Sequence, residues 1–301
     1  PNPKPQTPNP ECLEIKINYV PIEPNQPVQL FRSKTKPLGF IMNLRNALLL
    51  LALVCGTKGA KIVRFFHGFG SSCFVESHFK DHFPGLDVKC IETGMGVIGS
   101  FEDQIKSGCL ELTKEKETLA GGFTLIGISQ GGLLARAILQ ECEVGKFVKR
   151  VISIGGPHMG VARVPFTGHW NPLNLLVPLC KISFVEKLIG PCGYVHDEQN
   201  LKDFRNALSR LNNYQEQNPE YKKRVVALDL FMAIGFEDDQ MIQPKNTSLF
   251  GFFADEKQDS YVDMEETRLY KEDLVGMKAL SDRKGLFRCW VPGGHLRLGE
   301  E

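Results

Sequence analysis

The stretch FTLIGISQGGLLARAILQEC, Phe123 to Cys142, sets one serine between glycines where two different patterns join. Its first six residues, Phe123–Ile128, are β-branched and aromatic like a buried strand. From Gly132 onward Leu133, Leu134, Ala137, Ile138 and Cys142 recur at helical spacing. A strand running at once into a helix, with Gly127-Ile128-Ser129-Gln130-Gly131 at the turn, is the arrangement that lifts a serine hydroxyl above the end of a sheet. The glycines belong there because the serine's backbone is strained and side chains beside it would strike neighbouring backbone. In a chain with 29 glycines the pentapeptide alone is a weak signal. The strand and helix around it carry the reading.

Working outward, strands are expected at Lys61–Phe66, Leu86–Glu92, Phe147–Gly155, Arg224–Gly235 and Gly285–Val291. Helices are expected over Ser100–Lys116, with Phe101, Ile105, Cys109 and Leu112 on one face, over Ile182–Ile189, and over Glu198–Tyr214. The triplet Lys222-Lys223-Arg224 reads as the solvated entrance of a strand. Strands alternating with helices imply an α/β fold: a mostly parallel sheet covered by helices on both faces, with an irregular insert over Gly156–Val195. Sites in such sheets lie beyond the carboxyl ends of the strands.

A serine hydroxyl needs a base, usually a histidine oriented by a carboxylate. In the α/β-hydrolase arrangement the chain order is serine, acid, histidine. Of the histidines that follow Ser129, namely His158, His169, His196 and His295, only His295 sits in a loop just after a late strand, with Gly293 and Gly294 to bend it. The acid should end the strand before it, where Glu237, Asp238 and Asp239 stand together. One of them should face His295 and the others water. Asp239 is favoured because Ile242 and Pro244 can anchor the loop behind it, with Asp238 as the alternative. Two backbone N–H donors are needed for the oxyanion, one from Gln130 after the serine and one from the loop after the first strand, at Phe69. His67 precedes the serine and reads as structural, and Glu92–Gly99 reads as a loop without a phosphate-cradle pattern.

The 301 residues are 42% hydrophobic and 24% charged with a net charge of +1, enough for a large core and against a nucleic-acid footprint. Residues 1–41 hold nine of the 18 prolines and no apolar periodicity, and read as a disordered leader that is not native. Residues 42–60 have the proportions of a secretory signal, with an apolar run too short to span a bilayer, so Met42 is the expected biological start. The domain proper is then 61–301. Seven cysteines lie beyond the signal; in an oxidising compartment some should pair, and an odd count leaves at least one over. No His or Cys cluster has metal-ligand spacing, and Asn246-Thr247-Ser248 is a glycosylation sequon.

Six segments now define a resemblance: HGFGSSC at 67–73, IGISQGGLLARAILQEC at 126–142, ISIGGPHMGV at 152–161, LFGFF at 249–253, LYKEDLVGMKAL at 269–280 and GGHLRLGEE at 293–301. From about Lys61 to the last residue the chain resembles the lysosomal palmitoyl-protein thioesterases. The resemblance implies an α/β-hydrolase fold and hydrolysis of long-chain acyl thioesters on cysteines of proteins or peptides, in the lysosome or after secretion. It implies no cofactor, no metal, no nucleic-acid partner and no stable membrane span. It maps the nucleophile to Ser129, the acid to Asp239, the base to His295 and the oxyanion donors to Phe69 and Gln130. It implies a Cys109–Cys142 disulfide and a second pair at Cys180 and Cys192. It also implies a closing helix past the histidine, so truncation at Glu301 is expected, whereas the insert Phe166–Cys192 departs from the family in length and detail. Val164, Phe166, Trp170, Leu173, Leu175, Leu176, Leu179, Phe184 and Leu188 are candidates to line an acyl groove. The rival functions are a lipase or oxygen-ester esterase with the same three residues, and a degenerate hydrolase that binds lipid or protein.

Overall fold

The computed structural model describes residues 61–73, 76–77, 80, 85–94, 99–165, 172–196, 206–254 and 260–297; the leader and signal expected over 1–60 lie outside them. Its centre is a six-stranded sheet built from β1 (Ile62–Phe66), β2 (Asp87–Cys90), β3 (Phe123–Ile128), β4 (Val148–Ile154), β5 (Leu230–Phe236) and β8 (Leu286–Val291). They lie in the order β2-β1-β3-β4-β5-β8, and every neighbouring pair is parallel. A small antiparallel ladder pairs β6 (Phe252–Phe253) with β7 (Tyr261–Val262).

Alternation divides each strand between two cores. Phe65, Ile126, Ile128, Ile152, Ile154, Met232 and Ile234 face one way. Phe66, Leu125, Val151, Phe231 and Ala233 face the other, against helices α1 (Phe101–Thr113) and α2 (Gln130–Glu141). Helix α1 starts where the Ser100 hydroxyl accepts the Asp103 N–H at 3.0 Å, and it buries Phe101, Gln104, Ile105, Gly108 and Leu112. The result is the α/β-hydrolase fold: a parallel sheet flanked by helices, with an insert between β4 and β5 that carries α3 (Ser183–Leu188).

Two expected elements differ. Arg224 does not open a strand; it belongs to α4 (Pro219–Val226), and the strand starts at Leu230. Asn218 caps that helix and Pro219 fills its first turn, a start signal that outweighs the β-branched pair Val225-Val226. Nor is the basic triplet wholly solvated. The Arg224 guanidinium donates to Cys142 O at 2.6 Å and Gln140 O at 3.0 Å, at the carbonyl-rich end of α2. Of the helix expected over Glu198–Tyr214, the described part is the short helix Ala207–Leu211. Asn206, extended and accepting the Ser209 N–H, starts that helix.

Disulfides join Cys109 to Cys142 and Cys180 to Cys192, and a third joins Cys73 to Cys90. Cys289 is also disulfide-bonded, so the unpaired thiol expected from an odd count does not appear among the described cysteines. No helix of the described residues is long and apolar enough to cross a membrane.

Candidate active site

Parallel pairing puts the carboxyl ends of β1, β3, β5 and β8 on one edge of the sheet, and each feeds a loop of the site. After β3 the chain turns at Ser129 with φ 55° and ψ −127°, a positive φ that few side-chain-bearing residues adopt. The Ser129 N–H is held by Ile154 O at 2.7 Å, which ties the turn to the next strand. The turn is feasible only with glycine close behind it, because a Cβ on Gly131 would sit 2.3 Å from Phe66 O.

Asp239 follows β5, and His295 follows β8. The His295 ring reaches both neighbours: Nε2 is 2.9 Å from Ser129 Oγ, and Nδ1 is 2.6 Å from Asp239 Oδ2. The other Asp239 oxygen accepts the N–H groups of Met241 and Ile242, each at 2.9 Å. Asp239 is buried, whereas Asp238 is exposed and Glu237 half-buried. On the far side of the imidazole, a Cβ on Gly155 would lie 2.9 Å from His295 Cε1, so glycine at φ 65° leaves the ring its place. A hydroxyl, an imidazole and a buried carboxylate in series can pass a proton from oxygen to nitrogen and stabilise the imidazolium that forms.

Gln130 opens α2, where first-turn N–H groups lack intrahelical acceptors. Phe69 lies in the loop after β1 and borders, with Ser129 and His295, a cavity of about 660 Å³. The walls of that cavity are mostly aliphatic: Ile128, Val161, Val164, Val177, Val185, Val195 and Ile242 among them. Of the expected groove residues, Val164 and Leu179 line it, while Phe184 and Leu188 are exposed and outside its lining. Phe166 and Trp170, and the side chains of Leu173, Leu175 and Leu176, lie outside the described residues.

The other histidines have other partners. His158 is fully buried, stacked on Phe250 at 4.4 Å, with Nε2 2.8 Å from Ser153 Oγ, and burial holds its pKa well below the usual histidine value. His196 stacks on Phe252 at 3.9 Å and bonds Met159 O through Nδ1. His169 lies outside the described residues. His67 Nε2 is 3.3 Å from Glu92 Oε2. His67, Cys73 and Glu92 bring one donor atom each within 4.8 Å of one another, a grouping their spacing did not signal. The Cys73 sulfur is bonded to Cys90, however, and offers no thiolate to a metal.

Two supporting groups were not anticipated. The Gln130 side chain donates to Gln104 Oε1 at 2.6 Å and accepts the Tyr194 hydroxyl at 2.8 Å, stitching the serine turn to α1 and to the insert. Burial raises the Tyr194 phenol, so it stays protonated as that donor. Gln104 falls on the inward stripe of α1 with Phe101 and Ile105, a polar residue on an apolar face that could have pointed to it. The sequon occupies the 3-10 turn Lys245–Leu249: Asn246 is half-buried, and Thr247 and Ser248 are buried.

The family model described as palmitoyl protein thioesterase matches residues 62–295. The chain is 29% identical over 265 residues to palmitoyl-protein thioesterase 1 of Caenorhabditis elegans, covering 80% of this chain and 88% of the relative. It is 27% identical over 266 residues to the lysosomal thioesterase PPT2 of Rattus norvegicus, covering 82% and 85%. Among solved structures it is similar to lipase B of Aspergillus fumigatus, at 14% identity and TM-score 0.42 over 63% of this chain and 40% of that one.

Proposed function

Because the chain belongs to the palmitoyl protein thioesterase family, we propose that it hydrolyses long-chain fatty-acyl thioesters on cysteines of proteins or peptides through an acyl-enzyme on Ser129. The observation that carries the reading is the unbroken series Asp239 Oδ2, His295 and Ser129 Oγ, at 2.6 Å and 2.9 Å, with Ser129 and His295 bordering a largely aliphatic cavity. His295 Nε2 takes the Ser129 proton as Oγ attacks the thioester carbonyl. Asp239 keeps the Nδ1 proton in place and faces the imidazolium. The N–H groups of Phe69 and Gln130 receive the oxyanion. As the carbon–sulfur bond breaks, the imidazolium gives its proton to the departing sulfur, whose thiol pKa of about 8.5 makes it a good leaving group, and His295 is neutral again. Water, deprotonated by His295, then cleaves the Ser129 ester and releases the fatty acid.

The cavity supplies what the acyl chain requires. Each methylene moved from water to its aliphatic walls is worth up to ~0.8 kcal/mol, and no charge is needed to hold it. The disulfides, together with a relative named as lysosomal, support passage through the secretory pathway to the lysosome. The test is incubation of the purified protein with an S-palmitoyl cysteine peptide, following free thiol and palmitate together. Equal amounts of both, and a palmitoyl adduct on Ser129 trapped by acid quench, are expected. Intact peptide after prolonged incubation with folded protein would sink the proposal.

A further inference from the structure

Two apolar residues of the cavity lining are open to solvent. Leu179 and Ile189 line the cavity, yet they are 45% and 43% exposed. The same segment continues outward with Ile182 at 51% and Phe184 at 71% exposed, and with Leu188. Phe69, from the loop after β1, both lines the cavity and is exposed. Among the described residues, six of the eight exposed large apolar side chains therefore line the cavity or belong to the segment that carries two of its lining residues. Single exposed apolar residues are ordinary, but a contiguous group marks a surface that meets something apolar. The charge of the segment narrows the choice. Lys181 and Lys187 are exposed, against one carboxylate, Glu186, which is half-buried and whose pKa is raised by that burial and by Glu102.

We propose that this rim, residues 179–189 with Phe69, docks on a bilayer carrying anionic headgroups, so that the acyl chain passes from lipid into the cavity. Passage of the chain rests on the thioesterase reading; the docking does not. A long acyl chain on a peptide lies buried among lipid tails, and drawing it through water would expose every methylene on the way. Apolar lips set into the headgroup layer remove that step, because the chain leaves one apolar medium and enters another. The lysines then lie at headgroup depth, where a negative surface attracts them. The residues that carry the contact, Ile182 and Phe184, stand outside the cavity lining, so lip and cavity are separable.

The experiment compares wild type with Ile182→Asp/Phe184→Asp and with Lys181→Glu/Lys187→Glu in co-sedimentation with vesicles. The vesicles are phosphatidylcholine alone and phosphatidylcholine mixed with phosphatidylglycerol, each at low and high salt. Wild type should pellet with the mixed vesicles, and less so in high salt. Either double variant should lose at least roughly tenfold in vesicle affinity. Ile182→Asp/Phe184→Asp should slow hydrolysis of a vesicle-embedded palmitoyl peptide while leaving hydrolysis of a soluble butyryl thioester unchanged. Equal pelleting of wild type and both variants, or no pelleting of wild type with either vesicle, overturns the docking. Self-association of the free protein that Phe184→Asp abolishes would make the partner a second copy and overturn it too. Wild type that pellets but cleaves neither thioester leaves the docking standing and removes the thioesterase reading instead.

Discussion

His295 Nδ1 and Asp239 Oδ2 stand 2.6 Å apart, and the second Asp239 oxygen is occupied by two backbone N–H groups. The carboxylate is thus fixed from behind and cannot swing away from the ring. Asp239→Asn keeps the shape but offers an N–H or a weaker acceptor to Nδ1, so the imidazole is held in the wrong tautomer. A fall in kcat of about 10³–10⁴ is expected, by analogy with the serine-protease triad. Asp238 is exposed, and Asp238→Asn should stay within about twofold. Steady-state kinetics on a palmitoyl thioester decides between them. Equal losses would mean that Asp239 is not the acid.

Ser129 carries the second expectation. Its φ of 55° is a strained value for a side-chain-bearing residue, of the order of 1–3 kcal/mol. Ser129→Ala should abolish fluorophosphonate labelling and turnover with little change in thermal midpoint. Ser129→Gly should also be inactive but more stable, because glycine enters this region freely. A gain of ~1 kcal/mol corresponds to roughly 2–4 °C in a domain of this size. Calorimetry of the two variants reads the difference. A glycine variant less stable than the alanine one would show that the turn is not strained.

The serine turn was legible because strand, serine and helix are consecutive in sequence, so local pattern sufficed. Asp239 was legible only as the favoured member of an acidic group. What separates it from Asp238 is burial against Ile242 and the His295 ring, a tertiary fact. Gln104 and Tyr194 were not legible as partners of Gln130, since they come from a helix face and an insert that meet only in the fold. The helix Pro219–Val226 was misread for the opposite reason: its start signal at Asn218-Pro219 was present, but Val225-Val226 resembled a strand.

The disulfide between Cys109 and Cys142 pins the middle of α1 to the residue that ends α2, across 33 residues of chain. Chain-entropy reasoning gives ~3–4 kcal/mol for a loop of that length. The double variant Cys109→Ala/Cys142→Ala should lose about that much stability in denaturant titration while its kcat, if measured well below the new midpoint, stays within a few fold. A loss of activity without loss of stability would tie the bond to the site rather than to the unfolded chain.

The last expectation concerns the acyl chain and separates a thioesterase from an esterase with the same three residues. A palmitoyl chain carries eight methylenes more than an octanoyl chain, worth roughly 6 kcal/mol at most if all were buried at ~0.8 kcal/mol each. Incomplete burial and ordering of the chain reduce this to about a third, still on the order of 30-fold in kcat/KM. A cavity of about 660 Å³ lined by Val161, Val164, Val177 and Val185 has the walls to collect that energy. Palmitoyl thioesters should therefore exceed octanoyl ones by at least about tenfold. Val177→Trp, which takes space from the cavity, should erase most of the difference between the two chain lengths. The leaving group gives the second comparison. A thiol departs with little help from His295 as acid, whereas an alkoxide needs it, so matched oxygen esters should be slower. A flat chain-length profile would show that the cavity does not hold the chain. Oxygen esters turned over faster than thioesters would assign the site to ester hydrolysis.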